Sequence, residues 1–237
     1  DFYEMFFDDA LTASKALEIT LTGKDCGQEE RAPMCGVPYH AYEVYANRLI
    51  EQGYKVAICE QVEDPKQAKG LVKRDVIQII TPGTNLSTQN LKEGQNNYIM
   101  SIYAFDNAYG IAVADITTGE ARTCQVTSQE KCKDEINKYQ PSEIICNETL
   151  LCQDWDWEYY RERLHITISA IDDWHFNEEQ AANCLLKHFK VQSLEALGLK
   201  DRSLTVIASG ALMEYLIETQ KSSLDHMNRL ELYAVDD

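Results

Sequence analysis

The sequence predicts an α/β protein made of two domains, and three observations support this prediction. Patterns typical of helices alternate with patterns typical of strands in both halves of the chain. Residues 85–97 are polar, rich in Asn and Gln and without an apolar period, so they are the best candidate for a linker. The length of 237 residues suits one or two domains.

The first half is predicted to contain two helices and two strands. Asp8 and Asp9 stand before apolar residues at helical spacing, where acidic side chains favour a helix N-terminus. Gly53 is placed to end the second helix. The predicted elements are a helix over about 9–17, an exposed polar loop over 22–31, a helix from Ala41 towards Gly53, and strands at 56–59 and 76–80.

The second half is predicted to start with a three-stranded meander and to continue with an α/β layer. Thr127 and Glu130 form a capping-box pattern at the start of a helix that ends before Pro141. Asn177 and Gln180 open another helix in the same way. The predicted elements are strands at 98–105, 111–117, 121–126 and 143–146, and helices from Thr127, from Asn177 to Phe189 and over 204–220.

The charge distribution predicts where a polyanion could and could not bind. The net charge is -17, from 22 basic and 39 acidic residues, which taken alone disfavours a nucleic-acid partner. Residues 1–95 carry 10 basic and 15 acidic groups, a net charge of -5, whereas residues 96–237 carry 12 and 24, a net charge of -12. Residues 66–74 hold four cations and no acid, so they form the one local basic patch.

The composition also predicts the cellular compartment. No apolar run approaches the roughly 18 residues that span a bilayer, and the chain does not open with a secretion signal. The eight cysteines form no C-x-x-C pair and no histidines sit at metal-ligand spacing, which disfavours a zinc site and favours reduced thiols. We therefore expect a cytoplasmic protein, and we expect a fragment because the chain begins without Met.

Common catalytic motifs are missing from the sequence. It contains no G-x-x-x-x-G-K-[ST], no G-x-G-x-x-G, no H-E-x-x-H and no G-x-S-x-G. The five histidines are scattered singly. The sequence therefore predicts neither a catalytic residue nor a metal ligand.

An aromatic run at the start of the chain admits two interpretations. Phe2, Tyr3, Phe6 and Phe7 place four aromatic residues in six positions, interrupted by Glu4 and Met5. The first interpretation is a core strand. The second is a wedge that enters a base step of DNA, where unstacking costs a few kcal/mol and stacking returns about 1–3 kcal/mol per base.

Several blocks of sequence in a fixed order carry a resemblance to a known family. They are DFYEMF at 1–6, ITLT at 19–22, APMCGVPYHA at 32–41, VAICEQ at 56–61 and TPGT at 81–84. These blocks resemble the MutS family of bacterial DNA mismatch repair proteins. The resemblance continues more weakly through residues 115–119 and 216–221, so it covers essentially the whole chain.

The resemblance implies a division of the chain. Residues 1–84 would be most of a mixed α/β mismatch-recognition domain, truncated at its N-terminus, and 85–95 a linker. Residues 96–222 would be a connector domain of ribonuclease-H-like fold, and 223–237 the start of the core and lever region. The family's ATPase domain would lie beyond the chain, so we expect no enzyme activity and no cofactor here, with ATP and Mg²⁺ bound by the longer protein.

Two residues of the aromatic run are implied to read the mismatch. Phe2 matches the phenylalanine that stacks on the mispaired base, and Glu4 matches the glutamate that hydrogen-bonds to it. Stacking tolerates any base, so one ring can test many mismatches by how easily each step bends. Desolvation among phosphates favours a protonated carboxyl, so we expect Glu4 to act as a neutral hydrogen-bond donor in the complex.

Basic residues in two loops are candidates for phosphate contacts, which would position the wedge without reading sequence. They are Lys24, Lys69, Lys73 and Arg74. The alternative is a solvated charge run. Asp25 and Asp75 stand beside two of these cations where the family pattern has further basic residues, which weakens the prediction there.

Two other classes of function stay open, and the family implies further partners. A ribonuclease-H-like fold can host two-metal nuclease chemistry, and carboxylates are available. They are Asp106, Asp115, Glu120, Asp172 and Asp173. The acidic second domain could instead be purely a protein-docking module. In the family, the connector helps to engage a MutL-type partner, and the longer protein pairs with a second MutS protomer.

Overall fold

The computed structural model describes residues 1–86 and 94–235 as two α/β units. Most of the predicted linker, residues 87–93, lies outside the described residues. The first unit contains strands β1 (Phe2–Phe6), β2 (Thr22–Lys24), β3 (Ala32–Pro38), β4 (Val56–Gln61) and β5 (Arg74–Ile80), and helices α1 (Phe7–Leu17) and α2 (Tyr42–Glu51). The predicted α/β fold is confirmed.

The first unit is built on a three-stranded antiparallel sheet in the order β1-β3-β2. Helix α1 follows β1 directly, with Asp8 and Asp9 in its first turn, and it begins two residues before the predicted start. Strands β4 and β5 form a separate antiparallel hairpin. The main hydrophobic cluster of this unit contains the buried side chains of Ala10, Ala13, Leu17, Cys35, Val37 and Leu49.

The second unit is built on a six-stranded sheet with helices on both faces. Its strands are β6 (Ile99–Phe105), β7 (Ala108–Asp115), β8 (Glu120–Val126), β9 (Glu143–Cys146), β10 (Thr167–Ala170) and β11 (Glu231–Leu232). Its helices are α3 (Gln129–Tyr139), α4 (Glu148–Leu151), α5 (Glu178–Phe189) and α6 (Ser203–Gln220).

The strand order is β10-β9-β6-β7-β8-β11. Strands β6 to β8 form the predicted antiparallel meander, and β9 and β10 are added in parallel beside β6. A meander extended at its first strand by two parallel strands is the arrangement of a ribonuclease-H-like domain, so that prediction is confirmed. Strand β11 pairs in parallel with β8 at the other edge.

Alternate residues of β6 point to the two faces of the sheet, as the period of a strand requires. Ile99 joins the core under α5 and α6, whereas Met100 and Ile102 join the core under α3. The second core also contains Trp155, whose ring stacks on that of Trp157 at 4.8 Å between centroids. Both faces of the sheet are therefore covered, as a buried parallel region needs.

Helix termini follow local sequence closely. The Asn177 side chain accepts a hydrogen bond from the backbone N–H of Gln180 at 2.9 Å, which confirms the predicted cap of α5. The predicted cap of α3 at Thr127 is wrong by one residue. Ser128 is the N-cap and accepts from the N–H of Lys131 at 3.2 Å, because either hydroxyl residue fits the pattern and only the backbone decides between them.

Helix α6 passes close to α5. An added Cβ at Gly210 would lie 2.4 Å from the Cβ of Ala181, so glycine permits this approach. Across residues 1–86 and 94–235, the helices are each too short or too polar to cross a membrane.

Candidate nucleic-acid interface

Strand β1 presents two chemically different faces. Phe2 is 64% exposed, and Glu4 is exposed on the same face of the strand. Tyr3 and Met5 point the other way and pack against the core of the first unit. The aromatic run is therefore both a strand and a carrier of an exposed ring, so it combines features of the two interpretations.

A glycine of the partner strand, Gly36, lies beside the Phe2 ring. In the register of β1 and β3, Phe2 lies opposite Pro38 and Glu4 lies opposite Gly36. A Cβ added at Gly36 would lie 3.6 Å from Cδ1 of Phe2 and 3.2 Å from the carbonyl oxygen of Tyr3. A larger residue at Gly36 would therefore touch the ring at an ordinary contact distance and crowd the carbonyl of Tyr3. Sequence reasoning included this glycine in a family block but gave it no role.

Tyr3 anchors the inner face of β1. Its hydroxyl donates a hydrogen bond to the carboxylate of Glu60 on β4. Its ring stacks on Tyr39 at 5.1 Å and meets Tyr42 edge-on at 5.1 Å. Burial, and next the bonded Glu60 carboxylate, raise the pKa of Tyr3, so its hydroxyl stays a donor at neutral pH. This contact ties the strand that carries Phe2 to the β4–β5 hairpin.

Two residues that were predicted to contact DNA separately are in contact with each other. The ammonium of Lys24, on β2, lies 2.7 Å from a carboxylate oxygen of Glu4. The side chains are 47% and 36% exposed, so the pair faces solvent. The same ammonium lies 5.4 Å from the centroid of the Phe6 ring, a cation–π distance.

The other predicted phosphate contacts lie on the β4–β5 hairpin. Lys69 and Lys73 are exposed in the loop, and Arg74 is exposed at the start of β5. Two hydrogen bonds join the ends of this loop. The N–H of Val62 donates to the carbonyl of Lys73 at 3.0 Å, and the Glu63 carboxylate accepts from the N–H of Lys73 at 2.6 Å.

The cations of this loop are available to an anion. In the part of the chain that the structure describes, the ion pairs do not involve Lys69, Lys73 or Arg74. The Arg74 guanidinium donates to the carbonyl of Val72, at 3.3 Å. The structure joins this loop to the Phe2 strand through Tyr3 and Glu60.

Two of the five carboxylates considered for nuclease chemistry hold a turn and a strand in place. Asp115 is 0% exposed and accepts from the N–H and the hydroxyl of Thr117, at 2.9 and 2.6 Å. Glu120 accepts from the hydroxyl of Tyr98 at 3.1 Å and pairs with Arg122 at 3.0 Å. Among the residues that the structure describes, no three His, Cys, Asp or Glu side chains are grouped to hold a metal. These contacts favour a structural role.

Two family profiles match the chain in sequence order. MutS domain I matches residues 1–89, and MutS domain II matches residues 97–228. Proteins named DNA mismatch repair protein MutS are similar over nearly all of the chain. The one from Lachnoclostridium phytofermentans is 58% identical over 234 residues, which is 99% of this chain and 25% of the relative.

Two further relatives carry the same name. The protein from Acetivibrio thermocellus is 49% identical and that from Ruminiclostridium cellulolyticum is 48% identical, each covering 100% of this chain and 27% of the relative. The chain spans about a quarter of the length of the curated relatives it matches. From the two profiles and these identities, the chain belongs to the MutS family and comprises its domains I and II.

Proposed function

We propose that this chain is the mismatch-sensing part of a DNA mismatch repair protein, and that it binds mismatched or looped duplex DNA by inserting Phe2. The observation that carries the proposal is the 64% exposure of this ring on a strand anchored by Tyr3 on its other face. A rigidly held ring loses little conformational entropy when it stacks on a base.

The wedge selects mismatches by how easily the DNA duplex deforms at each base step. Inserting a side chain unstacks a base step, which costs a few kcal/mol, and the cost is least where pairing is already defective. Stacking of the base on Phe2 returns about 1–3 kcal/mol whatever the base. The ring therefore discriminates through how easily the duplex opens.

Glu4 and Lys24 exchange partners when DNA binds. In the unbound chain they form an ion pair at 2.7 Å. In the complex Lys24 pairs with a DNA phosphate instead of Glu4. Glu4 then lies beside base edges, removed from water and in the negative potential of the phosphates. That environment favours the protonated carboxyl, which can donate a hydrogen bond to the mispaired base.

Phosphate contacts from Lys24 and from the hairpin loop position the wedge. The loop contributes Lys69, Lys73 and Arg74. Four contacts would give a log-log salt slope of at most about -3.6, so the rest of a longer protein must add to the affinity. Residues 96–237 carry a net charge of -12, which keeps the DNA on domain I.

The remaining activities belong to the longer protein. The relatives are about four times as long as this chain, which leaves room for an ATPase domain with ATP and Mg²⁺ and for pairing with a second protomer. In this proposal the chain itself is a binding module, domain II engages a MutL-type partner, and the protein works in the cytoplasm. The acidic surface of domain II supports a protein partner.

The test is the ratio of heteroduplex to homoduplex affinity of the longer protein at fixed salt, with and without Phe2→Ala. The ratio should fall by about tenfold while homoduplex binding is largely kept, since one stacked base is lost. Phe105→Ala is a matched control, because Phe105 is 57% exposed but lies in domain II. An unchanged ratio in Phe2→Ala would show that the recognition site has been placed on the wrong residue.

A further inference from the structure

Glu143 is a fully buried carboxylate where domains I and II meet. It is the first residue of β9 and is 0% exposed. A charge removed from water is strongly unfavourable unless donors and opposite charges surround it. The groups that surround Glu143 therefore decide what the residue does.

Among the residues that the structure describes, four groups contact the carboxylate, and three of them come from domain I. One oxygen accepts hydrogen bonds from the N–H of Gly83 at 3.1 Å and from the hydroxyl of Thr81. The other accepts from the hydroxyl of Tyr215 at 2.7 Å and lies 3.6 Å from the ammonium of Lys55. Only Tyr215, on α6, belongs to domain II.

The turn of domain I that reaches Glu143 fits closely. An added Cβ at Gly83 would lie 2.7 Å from the Cβ of Ile99 and 3.0 Å from that of Glu143. Thr81 and Thr84 are almost completely buried on either side. Glycine is needed here for close approach, so the turn is seated against β6 and β9 and does not merely pass over them.

Helix α6 makes a second connection to domain I. The side-chain N–H of Gln220 donates to the carbonyl oxygen of Ile79 at 3.5 Å, and its side-chain oxygen accepts from the side-chain N–H of Gln78 at 3.5 Å. The Lys55 ammonium also lies 5.4 Å from the centroid of the Tyr215 ring. Both connections end on one helix.

We propose that Glu143 is a positioning residue that locks domain I onto domain II, so that the two domains turn as one body and α6 receives any tilt of domain I. Moving the domains apart would strip the buried carboxylate of three of its four partners, which opposes separation. This inference goes beyond DNA binding and does not depend on it, so it can be tested on the 237-residue chain without DNA.

The test is a pair of NMR measurements on the isotopically labelled chain. Residual dipolar couplings give one alignment tensor for each domain, and the two tensors are equal only if the domains move together. Hydrogen exchange of the Gly83 amide reports the bond to Glu143 directly. We expect equal tensors in the unaltered chain. In Glu143→Ala we expect unequal tensors and an exchange rate at Gly83 that is about tenfold or more higher.

A matched control is a second buried glutamate. Glu135 is 4% exposed and its carboxylate accepts from the hydroxyl of Tyr233, but it contacts no group of domain I among the described hydrogen bonds and ion pairs. Glu135→Gln should leave both measurements unchanged. If Glu143→Ala does not fold, the same two measurements are made on Glu143→Gln and Lys55→Met. Each of these changes removes the charge pairing of Glu143 with Lys55 while keeping side-chain bulk.

Three results would overturn the proposal. The first is unequal tensors in the unaltered chain. The second is equal tensors together with unchanged Gly83 exchange in every folded Glu143 and Lys55 variant. The third is an equal effect of Glu135→Gln, which would show that the loss of any buried carboxylate loosens the domains.

Discussion

Lys24 reaches across the exposed face of the first sheet and pairs with Glu4 at 2.7 Å, although 20 positions separate the two residues in the chain. The two residues are thus coupled before DNA arrives. An exposed pair of this kind contributes about 0–1 kcal/mol to stability, so it can be exchanged for contacts with DNA at little cost.

Changing Glu4→Gln should weaken discrimination without weakening binding. Glutamine replaces the carboxyl O–H donor with a weaker amide N–H donor and no longer attracts Lys24, which becomes free for phosphate. We expect the heteroduplex preference of the longer protein to fall about fivefold, which corresponds to about 1 kcal/mol. Homoduplex affinity should stay the same or rise. A large loss of affinity for every duplex would contradict the assigned role.

Changing Lys24→Met should reduce the salt dependence of DNA binding by the longer protein. Losing one phosphate contact makes the log-log slope less steep by about 0.9, and the loss should be equal for matched and mismatched duplexes. Lys15→Met is the control, because Lys15 is an exposed lysine of the same domain on α1. Equal slopes for the two variants would show that Lys24 pairs with Glu4 and does not contact a DNA phosphate.

Changing Tyr3→Phe should loosen the strand that carries Phe2. The ring contacts with Tyr39 and Tyr42 are kept, but the hydroxyl that donates to Glu60 is lost. We expect the free energy of unfolding of the chain in urea to fall by about 1 kcal/mol.

The control for this change is Tyr39→Phe. Tyr39 is 51% exposed, so the loss of its hydroxyl should alter stability by less than about 0.5 kcal/mol. If Tyr3→Phe is equally harmless, the bond to Glu60 does not anchor β1.

Changing Gly210→Ala should destabilise domain II, although alanine favours helices over glycine by about 1 kcal/mol. The new Cβ would lie 2.4 Å from the Cβ of Ala181, so α5 and α6 must move apart. Overpacking typically costs about 1–3 kcal/mol, which urea unfolding would detect. Ala181→Gly in the same chain should restore part of the loss, and an absence of any rescue would place the strain elsewhere.

Stability should decline in alkaline buffer. Burial raises the pKa of Cys184 to about 11 and the pKa values of Cys124 and Cys146 to about 12. These thiols ionise near pH 9 in the unfolded chain, so above that pH the unfolded state loses protons first and gains in relative stability. The urea midpoint in reducing buffer should therefore fall from about pH 9 to about pH 11.

The variant Cys184→Ala gives a check on this cause. It removes one of these thiols, which is partly buried, so its urea midpoint should fall less steeply with pH than that of the unaltered chain. A midpoint that is constant over the alkaline range in the unaltered chain would show that the buried thiols do not control it.

Elements with local signals were predictable from the sequence. Strand β9 lies at its predicted residues, and the Asn177 cap of α5 was found because its hydrogen bond spans only three residues. Strand β3 was missed, since Pro33, Gly36 and Pro38 lower its strand propensity. It forms because it pairs with β1 on one side and β2 on the other.

The candidate site also has features that the sequence indicates locally and contacts that depend on distant segments. The cations were proposed from residue type and position and Phe2 from the resemblance to the family, and their contacts with DNA stay predictions. The contacts of Glu4 with Lys24 and of Tyr3 with Glu60 were not predictable, because neighbours across strands depend on register and on the folding of distant segments together. The four partners of Glu143 were hidden for the same reason.

The positions of the tryptophans make tryptophan fluorescence specific to one of the two domains. All three tryptophans, Trp155, Trp157 and Trp174, belong to domain II, and the stacked pair lies in its core. Intrinsic tryptophan emission therefore does not report the unfolding of domain I. Circular dichroism reports the backbone of both domains, so a difference between the two melting curves would show that domain I unfolds separately from domain II.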